Sequence, residues 1–178
     1  MRALVVIAGL LLLLSLDALA EGRRDKLAVV DANDRQVGTV VGSRLDQVTI
    51  ALGVNGRHAL LEVVSAVPLL YPRAGAVLPI QGDGFLMFDG GDCSGTLFLR
   101  QPSNRLFDRA VVGPPGLTLY LPETPGAVPR TIPIGSFVDY FQGCQTSDPA
   151  TGFELVPAVA IVDLLTIFTP PFRLVFRD

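Results

Sequence analysis

The sequence predicts an all-β fold, an antiparallel sandwich or partly open barrel of short strands, and three observations carry that expectation. Apolar residues alternate with small or polar ones over 48–54, the period-two signature of a strand. Short apolar runs recur along the chain between clusters of Gly, Pro, Asn and Asp, residues that end strands and turn the backbone. Glycine and proline number 18 and 14 in 178 residues, richer than an average globular domain yet below a low-complexity chain. With 49% hydrophobic and 17% charged residues, the composition excludes collagen, coiled coil, intrinsic disorder and a polytopic membrane protein.

Met1-Arg2 is a short positive start, an apolar run follows over 3–16, and Ala18-Leu19-Ala20 ends it in small residues before Glu21. Charge, apolar core and small-residue exit in that order describe a secretory signal peptide over 1–20. The run falls short of the roughly 20 apolar residues that span a bilayer, so no stable membrane anchor is expected after cleavage. The mature protein is expected to be secreted or periplasmic, with 21–178 forming a single β-rich domain. Such a length buries about two-thirds of its unfolded surface and folds without staples.

In the mature chain, apolar runs over 27–30 and 37–41 flank Asp31-Ala32-Asn33-Asp34, which reads as a hairpin. The next pair has a defined register. Asn55-Gly56 tolerates the positive φ that a two-residue turn demands. Counting outward from that turn stacks Leu52 on Ala59, Ile50 on Leu61 and Val48 on Val63, leaving Thr49, His58 and Glu62 on the other face. Further strands are expected over 85–88 and 96–99 around the loop 89–95, over 111–112 and 117–121 around Gly113-Pro114-Pro115-Gly116, and over 131–134, 153–156 and 172–176. In the last of these, Phe172, Leu174 and Phe176 share a face. Prolines at 122, 125, 129 and 133 confine their stretch to edges and loops. Only 158–168 offers a candidate helix, and 69–75, with Pro72 inside it and Pro68 just before, a candidate joint between sub-sheets.

Cys93 and Cys144 are the only cysteines, so one intramolecular pairing exists, and an oxidising compartment permits it. Two separate thiols are the alternative; a zinc site lacks ligands, with one distant histidine. That histidine, His58, sits on the polar face of its strand without a Gly-x-Ser-x-Gly elbow anywhere to supply a nucleophile, so a surface role is expected for it. Asp83, Asp89 and Asp92 lie among five glycines, and carboxylates on such backbone are what a calcium ion takes. Their spacing matches no calcium loop, and turn chemistry accounts for the same residues, so no metal and no cofactor are expected. Arg100 and Arg105 flank Pro102 and read as solvated loop charges. A single lysine (Lys26), scattered arginines and a net charge of −3 argue against nucleic acid as a partner.

The segment from Val29 through Val40, Val-Val-Asp-Ala-Asn-Asp-Arg-Gln-Val-Gly-Thr-Val, resembles the opening hairpin of uncharacterised exported bacterial β-domains. Phe88-Asp89-Gly90-Gly91-Asp92-Cys93-Ser94-Gly95-Thr96 resembles an aromatic-acid-Cys-x-Gly segment of the same kind of protein, where a second cysteine follows as Cys144 does here. The stretch from Asp34 to Val40 is also similar to the first strands of the PRC-barrel module. The first likeness implies an exported β-rich domain and no catalytic residues.

These readings converge on an exported binding or structural domain that acts through its surface, on a protein or surface ligand. Two alternatives stand beside it: a secreted hydrolase using acids of the 83–92 region, with or without calcium, and a domain appended to a fibre or appendage, for which an oligomer would be expected.

Overall fold

A computed structural model describes residues 26–44, 47–64, 77–78, 85–101, 107–139, 142–148 and 152–177. The expected signal peptide, the joint at 69–75, Asp83 and Arg105 lie outside these residues. Among the described residues the chain is all-β: fourteen strands and one 3₁₀ turn. The strands form a mostly antiparallel sheet that does not close into a barrel.

The first four strands, β1 (Lys26–Val30), β2 (Gln36–Arg44), β3 (Gln47–Val54) and β4 (Arg57–Val64), run as an antiparallel meander. Its tightest turn has Asn55 at φ 51 and Gly56 at φ 75, the two positive values that match the strands' right-handed twist. The register that follows pairs Leu52 with Ala59, Ile50 with Leu61 and Val48 with Val63. That face is the core: all six side chains are buried, whereas His58 opposite is exposed. Val41 departs from simple alternation. The β2–β3 pairing shifts register between Val40 and Gly42, and the bulge turns Val41 outward to 57% exposure.

β14 (Phe172–Arg177) pairs along β1, with β5 (Val77–Leu78) beyond it. Phe172 and Leu174 point into the core, and Phe176, on the same pleat, reaches the rim and is 58% exposed. On the other side of the meander β4 takes a parallel neighbour, β8 (Asp108–Gly113), whose hairpin partner is β9 (Thr118–Pro122). This pairing, the one parallel pairing among the described strands, joins the meander to the β8–β9 hairpin and sets Leu61 beside Ala110. Ala110, Val112, Leu119 and Leu121 complete the main core with the meander's inner face.

The candidate helix at 158–168 is a correction. Residues to Asp163 continue β13 (Gly152–Asp163), and only Leu164–Thr166 turn, as a 3₁₀ element whose end Asp163 caps by accepting from Leu165 N. Val159, Ile161 and Val162 are stiff β-branched residues suited to a pleated surface, and β9 offers this stretch a strand edge along 158–163. The first half of β13 lies between β7 (Leu97–Arg100) and β10 (Arg130–Pro133). Pro157, which has no N–H, sits where the pairing passes from β10 to β9. β6 (Leu86–Phe88), β11 (Ser136–Asp139) and β12 (Gly143–Thr146) extend this second sub-sheet, β12 pairing only with β11. One of its faces seats Leu86 and Leu99 on Val111 and Tyr120; the other gathers Met87, Phe98, Ile134 and Leu155.

Candidate functional site

Apart from the edge of β13 at β10, three places among the described residues bring polar chemistry or open apolar surface together, and the sequence singled out the first. In the loop 89–95, Asp89 Oδ1 accepts the Thr96 N–H at 2.7 Å, and Gly90 N donates to Ser94 O at 3.1 Å. Gly95, at φ +90, lies so close that a Cβ would stand 2.1 Å from that same Asp89 oxygen, so only glycine fits. The Thr96 N–H holds the Asp89 carboxyl below the usual carboxylate range, which keeps it ionised as the loop's own anchor. Asp92 accepts from the Ser94 hydroxyl. Cys93, at φ 56, donates its N–H to Ser136 Oγ at 2.8 Å, and Ser136 in turn donates to Gly90 O. Cys93 and Cys144 sit at disulfide distance, sulfurs 2.04 Å and Cα atoms 5.9 Å apart, which ties this loop to β12. Asp89 Oδ1 and Asp92 Oδ1 thus face the loop itself, and the described residues hold no group of three or more side chains that could bind a metal ion.

Asp31 is the most deeply placed acid among the described residues, 1% exposed in the β1–β2 turn. Its Oδ1 accepts the N–H groups of Asn33 and Arg35, each at 2.9 Å, and its Oδ2 accepts Thr169 N at 3.0 Å. Turn chemistry forecast the local bonds; the partner at Thr169, 138 residues away, has no local signal. The Thr169 bond is the main cause that lowers the Asp31 pKa, so the folded value lies below the unfolded one. Its stabilisation is therefore present above the ordinary carboxylate range and is lost as pH falls through the folded value. Asp31→Ala is expected to lower the urea midpoint at neutral pH and to shrink the loss of stability on acidification; a variant with the parent's acid profile would show that Asp31 does not carry it.

The third place is a groove of about 360 Å³ on the outer face of the meander, lined by Val41, Ala51, Gly53, His58, Leu60 and Phe107 together with Leu52 and Ala59. Its floor follows from the pleat, since Ala51 pairs with Leu60 and Gly53 with His58. Gly53 leaves room for the imidazole: a Cβ there would stand 3.3 Å from His58 Nδ1 and Cε1. The bulged Val41 forms one wall and Phe107 the other, each 57% exposed. The chain just after Phe107 is braced on both sides. Gln101, itself buried, donates to Arg109 O and accepts from Arg109 N, while Asp108 faces Arg57 at 3.7 Å and accepts Gly126 N. Among the described residues no hydroxyl, thiol or carboxylate hydrogen-bonds to His58, so none of them pairs with it as a nucleophile. Sequence reasoning placed His58 at the surface but missed the walls. A lone valine in a bulge and a phenylalanine after a loop look ordinary until the strands bring them face to face.

Comparison with known proteins finds no matching family model, no matching curated protein and no matching solved structure.

Proposed function

We propose that this chain is an exported binding domain, without catalytic activity, whose groove on the outer face of β2–β4 receives an uncharged apolar group. The observation that carries the reading is the lining: among the described residues His58 is its only titratable side chain, and Val41 and Phe107 leave large apolar surface in water. An aromatic group fits this shape, laid on Ala51 and Gly53 and edged by the Phe107 ring. The N-terminal signal and the cysteine pair support secretion or a periplasmic location, and the single lysine supports a partner other than nucleic acid.

N-phenyl-1-naphthylamine, an uncharged aromatic whose fluorescence rises in apolar surroundings, tests the site. Saturable enhancement is expected with the parent protein. Gly53→Leu, which fills the floor, and Phe107→Asp, which charges the wall, are each expected to weaken it about tenfold, the worth of one lost apolar contact of this size. Enhancement unchanged in both variants, with melting temperatures also unchanged, would overturn the reading.

A further inference from the structure

The face of the second sub-sheet on which Leu155 is buried carries two exposed cations that the groove does not involve. Leu155 of β13 pairs with Arg130 on β10 and with Arg100 on β7. Directly paired residues point to the same side of a sheet, so one guanidinium stands on each flank of Leu155, their Cα atoms roughly 10 Å apart across two strand spacings. Both arginines are exposed, and neither side chain makes a hydrogen bond or ion pair among the described residues, whereas Arg57, Arg109 and Arg173 each face an acid. Beside Arg130 opens a pocket of about 500 Å³, lined by Thr124, Ala127, Val128, Ile132, Leu155 and Pro157, with Arg130 the only charge among its described lining residues. Val128 is 80% exposed at its mouth. Glu154 pairs with Thr131 and so lies on the opposite face, and no carboxylate is among the pocket's described lining residues.

An apolar hollow of ligand size with an uncommitted guanidinium at its edge and a second across one strand is complementary to one chemistry, an apolar chain ending in an anion. We infer that this face binds a free aliphatic carboxylate. The chain lies along Val128, Ile132, Leu155 and Pro157; the carboxylate takes the fork of Arg130, and Arg100 approaches the same anion from the other side of Leu155. Arginine suits this role because its planar fork stays charged and meets a carboxylate with two parallel bonds.

The site is independent of the groove, so its test can fail without touching the proposed function. Dodecanoate, titrated below its micelle concentration into the disulfide-intact protein, is expected to bind saturably, and dodecanol about tenfold more weakly, the worth of a charge-assisted bond. Arg130→Gln is expected to bring dodecanoate down to the dodecanol level, Arg100→Gln to produce part of that loss, and Gly53→Leu to leave it unchanged. Both arginine side chains are exposed, so melting temperatures should hold. Equal affinity for dodecanol or for dodecyltrimethylammonium, no loss in Arg130→Gln, loss in Gly53→Leu, or binding to anionic lipid vesicles but not to free dodecanoate would each overturn the inference.

Discussion

Opening the Cys93–Cys144 bridge, by reduction or as the double serine variant, is expected to cost about 3–4 kcal/mol of stability, since a cross-link spanning 51 residues removes that much freedom from the unfolded chain. For a domain of this size the melting temperature should fall by roughly 10 °C. The native side adds to the effect. β12 is an edge strand held by β11 alone, and the bridge is its covalent tie to the loop 89–95, whose other fastening is the Ser136 hydroxyl between Cys93 N and Gly90 O. Hydrogen exchange should accordingly speed up in 89–95 and in β12 well before the meander responds. Calorimetry with and without reductant checks the size; an unchanged melting temperature would show that the bridge constrains nothing in the unfolded chain.

Leu61→Ala is the second large effect, at about 2–5 kcal/mol for removing a buried leucine side chain from a packed core. Leu61 is 1% exposed, stands opposite Ile50, and occupies the position of β4 where β8 joins in parallel beside Ala110. A cavity there loosens both the meander and its junction with the β8–β9 hairpin. The neighbouring Leu60 faces the outer groove and is only half-buried, so Leu60→Ala should cost about 1 kcal/mol or less. Urea denaturation of the pair is diagnostic, because adjacent leucines on one strand differ only in the face they present. Equal losses would mean that β4 is out by one residue.

The contrast between those two leucines was legible in the sequence. Asn55-Gly56 allows one tight turn, and counting outward from it sorts every side chain of 48–63 to a face. Loop 89–95 was legible in part: its glycines and acids announced a turn, but that Asp89 Oδ1 accepts Thr96 N and Asp92 Oδ1 accepts the Ser94 hydroxyl depends on where each oxygen points. Arg100 read as a solvated loop charge, yet it ends β7 beside Leu155, because β7 pairs with a strand more than fifty residues further on.

By itself, then, the sequence determined what neighbouring residues decide: the all-β class, the hairpin turns, the register of β3 on β4, and the identity of the one possible cysteine pair. Pleat and turn energetics act over a few residues, so a local reading captures them. Only the tertiary structure decided that 158–163 is strand, that β8 joins β4 in parallel, that Thr169 reaches Asp31, and that Arg100 and Arg130 flank one leucine. Each of these depends on which distant edge a segment meets. A β-branched run pairs with whatever edge reaches it, and an exposed arginine looks the same in sequence wherever its strand lies, so these outcomes belong to long-range packing.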